Sequence, residues 1–323
     1  MPSLSRRAAA GLAALVAGLP LAAAASCGSA FCLVNTDWSM QGVYTDPGTR
    51  LDLRYEYVNL DQPRHGRDKV SVGQIPRHHD EIETRNRNWI ATLDGNVNEQ
   101  WGWSVAVPLV DREHQHVHNH QGAKILDAWD FSELGDVRAQ GRYQFFTSRV
   151  DPAQPRSAGL TFGLKLPTGK HDVTNGQGAV AERPLQPGTG TTDLLLGLYV
   201  NGAMPLDGFS WFAQASGVAP LNERDGFKPG AQLVLDGGVR YAMTGDFAAM
   251  LQLNYQAKAR DKGVEAEPED SGQRQVFLTP GVSWAIGRAV QLYAYVQVPL
   301  YQSVNGVQLT ADWSAMAGVS WRF

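Results

Sequence analysis

Cysteine is scarce in this chain. Only Cys27 and Cys32 occur among 323 residues, which leaves no Cys-rich zinc spacing. Basic surplus is missing too: 28 Lys and Arg stand against 32 Asp and Glu, a formal charge of -4. A nucleic-acid partner is therefore not expected. Beyond residue 25 there is no apolar run of about 18 residues, so no transmembrane helix is available. A membrane location would need a closed barrel, the other structure that satisfies every backbone polar group in lipid. Phosphate-cradling loops and dinucleotide fingerprints are also absent, and Gly188-Thr189-Gly190 reads as loop chemistry. What the chain does have is 9 Trp, 10 Tyr, 11 Phe and 34 Gly, a mixture that suits many strands and turns.

The first segment has the layout of a secretory signal. Arg6 and Arg7 precede an apolar stretch from Ala8 to Ala25, and Ala23-Ala24-Ala25 offers a small-residue cleavage site. Residues 1–25 are expected to be removed, leaving 26 basic against 32 acidic residues, a charge of -6. Export exposes Cys27 and Cys32 to an oxidising compartment, where a Cys27–Cys32 disulfide would staple the new N-terminus. Lipid attachment at Cys27 is the alternative, because Ala24-Ala25-Ser26-Cys27 loosely resembles a lipobox that lacks its usual Leu.

Alternation carries the fold argument. In the last sixteen residues Leu309, Ala311, Trp313, Ala315, Ala317, Val319, Trp321 and Phe323 share one face, and Asp312, Ser314, Ser320 and Arg322 the other. Barrel strands place lipid-facing and lumen-facing side chains at this period of two. Leu51, Leu53, Tyr55 and Tyr57 repeat it against Asp52, Arg54 and Glu56, and similar runs recur downstream. Twelve strands are expected, near 48–58, 86–98, 101–112, 133–147, 157–167, 190–203, 208–220, 229–243, 246–258, 273–286, 288–301 and 308–323. Short links, such as Thr244-Gly245-Asp246, alternate with long ones near 59–85, 113–132, 168–189, 221–228, 259–272 and 302–307. Short periplasmic turns and long outer loops are the plan of an outer-membrane, all-β, antiparallel up-and-down barrel. Residues 26–47 would form a periplasmic extension or plug, and 48–323 the barrel. A soluble β-sandwich also alternates, but it would bury its apolar faces.

One segment carries a family resemblance. Gly163-Leu164-Lys165-Leu166-Pro167-Thr168-Gly169 is a strand ending in Leu-Pro-Thr-Gly, and the chain closes on Trp321-Arg322-Phe323. The first resembles the outer-membrane family named after the phenol meta-degradation pathway, over about residues 30 to 323. The second is similar to the terminal signature read by the barrel-assembly machinery. The resemblance implies a bacterial outer-membrane barrel with a transport role and no catalytic residues to carry over.

Histidine placement is the sharpest local feature. Seven of the eight histidines lie between 65 and 120. His78 and His79 fall in the first long link, and His114, His116, His118 and His120 alternate in the second. In an extended segment all four of these imidazoles share one side. With Asp80, Glu81, Asp111 or Glu113 they form a candidate site for Zn, Cu or Ni. The plain alternative is a solvated polar loop. Charged positions on the inferred inner faces are Arg54, Glu56, Asp94, Asp136, Arg138, Arg142, Lys165, Asp236, Arg240 and Asp312. They either pair across the barrel as an interior network or line a selective path. His171 has no recognisable serine partner and the outward faces carry no histidine, so catalysis is not expected. The expected function is passive passage of a small, hydrophobic solute. The rivals are a metal-binding surface barrel and a structural barrel with a closed lumen.

Overall fold

The computed structural model describes residues 31–43, 46–75, 80–120, 123–148, 156–243 and 246–323, with backbone alone at 118–120 and 123. The signal segment, Cys27, His78, His79 and the Thr244-Gly245 turn lie outside the described residues. The strands of the first half are β1 (Gly48–Leu60), β2 (Gln62–His65), β3 (Asp68–Lys69), β4 (Asp80–Asn96), β5 (Trp101–His120), β6 (Ala123–Leu134), β7 (Arg138–Ser148) and β8 (Arg156–Lys165). Those of the second half are β9 (Asp193–Ala203), β10 (Phe209–Pro220), β11 (Gln232–Ala242), β12 (Phe247–Lys258), β13 (Gln273–Ile286), β14 (Val290–Val304), β15 (Val307–Thr310) and β16 (Ser314–Arg322).

Twelve of these strands close into one ring, β1-β4-β5-β7-β8-β9-β10-β11-β12-β13-β14-β16 and back to β1. Each neighbouring pair is antiparallel, for example Leu53 opposite both Ala91 and Val319. Closure leaves no sheet edge facing lipid, where an unpaired amide or carbonyl would find no partner. β5 rises beyond the ring: Trp101–Ala106 pairs with β7, and Leu109–His120 pairs with β6. β6 and β7 thus act as one strand interrupted at 135–137. Above the mouth, β15, β2 and β3 make a small separate sheet.

The alternation of the sequence becomes an outside and an inside. Leu51, Leu53, Leu93, Leu198, Leu251, Leu253, Val296 and Val298 are exposed on the outer surface. Between them, Asp52, Glu56, Gln252, Asn254, Gln291 and Gln297 are buried within. Aromatic pairs rim the apolar band. Trp101–Tyr143, Phe209–Tyr241 and Phe247–Trp284 lie at the end that carries the termini. Tyr55–Trp89 and Tyr57–Trp313 lie at the other. Such rings sit at the headgroup level, so the band between them is the lipid-spanning zone of a bacterial outer-membrane barrel.

Two glycines shape the inner wall. Gly318 lies opposite Tyr293 and Gly281 opposite Tyr295. A Cβ at either position would come within 2.4 and 2.2 Å of the facing ring. Bare backbone there lets both rings lie against the wall.

Three expectations need correction. The second long link, 113–132, is a hairpin of paired strand. Its outward face changes from apolar to charged at Asp111 and Glu113, which pair with Arg87 and Arg85. The ladder therefore continues above the membrane although the greasy pattern has stopped. The last strand is also shorter than expected: β15 leaves the barrel to pair with β2. The break at 311–313 turns Leu309 and Ala311 inward against Val58 and Leu60. For the same reason Asp312 does not line the lumen; it is half exposed and holds Lys69 at 2.7 Å on the outside.

Candidate functional site: the barrel lumen and its outer mouth

The lumen is occupied by the chain's own residues 31–43. Gly42 sits beside Asn201 near the periplasmic end, and Phe31 packs below the outer mouth on the cluster of Val110, Trp129, Phe131 and Leu185. Between them Trp38 is fully buried and meets Tyr293 edge-on, ring centroids 5.4 Å apart. Val34, Met250, Tyr295 and Met316 complete this apolar contact. The segment has no strand partner, so wall side chains satisfy its backbone. Cys32 N donates to Glu56 (3.1 Å), Leu33 N to Gln297 (3.2 Å) and Asn35 N to Gln252 (3.1 Å), while Met40 O accepts from Asn201 (2.7 Å).

One wall is charged. Arg54 pairs with fully buried Glu56 at 2.9 Å, and Arg50 with Asp94. Lys165 lies between Asp136 (2.7 Å) and Asp193 (3.1 Å). Arg142 donates to Asn96 (2.8 Å) and to the Tyr199 hydroxyl (3.0 Å). Arg138 shares the inward parity of Arg142 on β7 and is within electrostatic reach of Arg54, Glu56, Asp193 and Asp136. The opposite wall is mostly carboxamide, lined by Gln252, Asn254, Gln256, Gln273, Gln275, Thr279, Gln291, Gln297 and Gln302, all buried. Asp236 stands among them and accepts from Asn254 at 2.7 Å. Arg240 shares the inward parity of Asp236 on β11 and is half-buried. The sequence reading did not single out this carboxamide wall; glutamine at period two along β12 to β14 was the signal.

The histidines meet at the outer mouth. Alternation on β5 turns His114 and His116 inward, and both are buried. His114 Nε2 lies 3.0 Å from His116 Nδ1 and 3.7 Å from Glu81 of β4. Its Nδ1 lies 2.7 Å from the Thr84 hydroxyl. His116 faces Glu182 from Nδ1 at 3.8 Å and Asp127 from Nε2 at 3.9 Å. Burial first, and then the neighbouring His116, lowers the His114 pKa to about 3, so the ring is neutral. Glu81 is legible from its place beside the histidines in the sequence, whereas Glu182 arrives from the distant connection after β8. Asp111 and Glu113 instead point outward, and Asp80 pairs with Lys124 at 3.3 Å. His171 lies elsewhere, 3.0 Å from Asp225.

Comparison with known proteins agrees with this architecture. Residues 81–311 match the family model described as "Putative MetA-pathway of phenol degradation". No curated protein sequence matches the chain. An outer-membrane channel from Pseudomonas putida F1 superposes with a TM-score of 0.66 at 12% identity, over 87% of this chain and 97% of that one. The NanC porin follows at a TM-score of 0.45 and 11% identity, over 84% and 100% of the two chains. A FadL homologue from Pseudomonas aeruginosa gives 0.39 and 8%, over 90% and 93%. At 12% identity the likeness to the Pseudomonas putida channel shows the barrel fold.

Proposed function

Because the chain belongs to the family described by the phenol-degradation MetA pathway, we propose that it is an outer-membrane channel passing a small, hydrophobic solute down its gradient. The observation that carries this reading is the noncovalent packing of residues 31–43 in the lumen. Backbone amides of the segment donate to Gln297, Gln252 and the Glu56 carboxylate, Asn201 donates to Met40 O, and Trp38 makes one aromatic contact. Each such bond nets about 0.5–1.5 kcal/mol, so the segment can exchange these partners without opening the barrel. Its departure would bare Tyr293, Tyr295, Met250 and Met316, an apolar track on an otherwise polar wall. The likeness to a solved outer-membrane channel supports the same reading.

Two further assignments accompany this reading. Trp321-Arg322-Phe323 serves recognition by the barrel-assembly machinery, and Cys32, a free thiol whose Sγ donates to Ala315 O at 3.7 Å, is the group that oxidation on export would join to Cys27. Uptake of a radiolabelled monoaromatic solute tests the channel reading, in cells producing the protein against cells lacking it. Several-fold faster uptake is expected, faster still with Trp38→Ala. Equal uptake in all strains would contradict a channel and leave a structural barrel.

A further inference from the structure

The outer mouth holds a second constellation that a solute path does not need. Three protein elements converge there: β4 supplies Glu81, β5 supplies His114 and His116, and the connection between β8 and β9 supplies Glu182. The ligand atoms of Glu81, His114 and His116 all lie within 4.8 Å of one another. The geometry points to a divalent transition-metal site, with Zn²⁺ as the ion, bound by Glu81 Oε2, His114 Nε2 and His116 Nδ1, and Glu182 as fourth ligand.

The spacing that lets His114 and His116 share a hydrogen bond also brings their nitrogens close to the separation of two ligands on one ion. Ligands about 2.0–2.1 Å from a tetrahedral zinc stand about 3.3–3.5 Å from one another. The separations here are 3.0 Å between the two imidazole nitrogens, 3.7 Å from His114 to Glu81 and 3.8 Å from His116 to Glu182. They bracket that edge length, so modest side-chain shifts bring Glu81, His114 and His116 onto one ion, and Glu182 approaches from the His116 side. Two imidazoles and two carboxylates also make a donor set that zinc accepts without redox chemistry.

The surroundings resemble a supporting shell. With its proton on Nδ1 and donated to Thr84 Oγ1 at 2.7 Å, His114 presents the Nε2 lone pair inward. Asp127 lies 3.9 Å from Nε2 of His116, on the side where that nitrogen carries its N–H when Nδ1 binds metal. The Trp129 ring lies 5.8 and 5.2 Å from the two imidazoles and roofs the site. Val110, Phe131 and Leu185 form the apolar floor beside it. A bound ion would tie β4, β5 and the β8–β9 connection together across the mouth.

The test uses the full-length protein folded in detergent and freed of metal with a chelator. Titration with ZnCl₂ by calorimetry, and with CoCl₂ by absorption, should show one equivalent bound and the d–d bands of tetrahedral Co(II). Zn²⁺ should also raise the thermal midpoint, since it binds only the folded chain. Thr84→Ala should weaken binding about 10- to 100-fold. The His114→Ala/His116→Ala pair should abolish binding while the barrel keeps its heat-modifiable migration. The pairs His78→Ala/His79→Ala and His118→Ala/His120→Ala should bind as the native chain does. Absence of stoichiometric binding by the native protein would overturn the proposal. So would binding that survives in His114→Ala/His116→Ala, or binding lost only in the other two pairs.

Discussion

Two walls face each other across this lumen and are built from different chemistry. Along β1, β7 and β8, buried Arg, Lys, Asp and Glu alternate with lipid-facing residues and pair closely. Along β12, β13 and β14 the same inward positions carry glutamine, asparagine and tyrosine. A buried charge without its partner costs several kcal/mol, so the charged wall is locked by its own pairing. A carboxamide that exchanges partners costs far less, because donor and acceptor both travel with the side chain. The N-terminal segment uses both walls, but Leu33 and Asn35 lean on the carboxamide one. Locked charges and exchangeable carboxamides thus face each other across one bore.

The largest expected effect falls on the charged wall. Lys165→Met would leave Asp136 and Asp193 buried without the ammonium between them. Denaturant unfolding in detergent should show a loss of about 3–5 kcal/mol. Trp38→Ala comes next, deleting the fully buried ring of the segment. It should weaken docking of residues 31–43 by about 3–5 kcal/mol, without a matching loss of barrel stability. Hydrogen exchange would show this as lost protection in 31–43 with the strands unchanged. If the strands lose protection equally, segment and barrel form one cooperative unit and the division fails.

Smaller effects sharpen the contrast on the carboxamide wall. Gly318→Val would push its side chain into the Tyr293 ring, since a Cβ there already stands 2.4 Å from it. A loss of about 1–3 kcal/mol is expected, partly relieved by adding Tyr293→Ala. Gln302→Leu should cost least, about 1 kcal/mol, for its bond to Ala311 O at 3.0 Å. A Gln302→Leu loss as large as that of Lys165→Met would erase the distinction between the walls.

Much of the barrel was legible because lipid imposes a simple code. Leu51, Leu53 and Tyr55 must face oil, so Asp52, Arg54 and Glu56 must face inward, and ring closure follows from the repeat. The code fails where lipid ends. At Asp111 and Glu113 the outward side chains become charged, so the upper part of β5 reads as loop although its backbone stays paired. It fails again at Asp312, where a break after β15 reverses the inward and outward parity. His114 and His116 could be placed on one side from their spacing alone. Glu182 could not, because it reaches them only through the folding back of the β8–β9 connection. The segment at 31–43 carries no period, and its place in the lumen depends on side chains from strands all around the ring.

Single-channel conductance in planar bilayers most directly tests the claim that residues 31–43 stopper a polar bore. The native protein should show small or rare openings, and a chain lacking residues 31–43 should conduct steadily at a markedly higher level. Identical, silent traces from both proteins, with both shown to be folded and inserted, would contradict it.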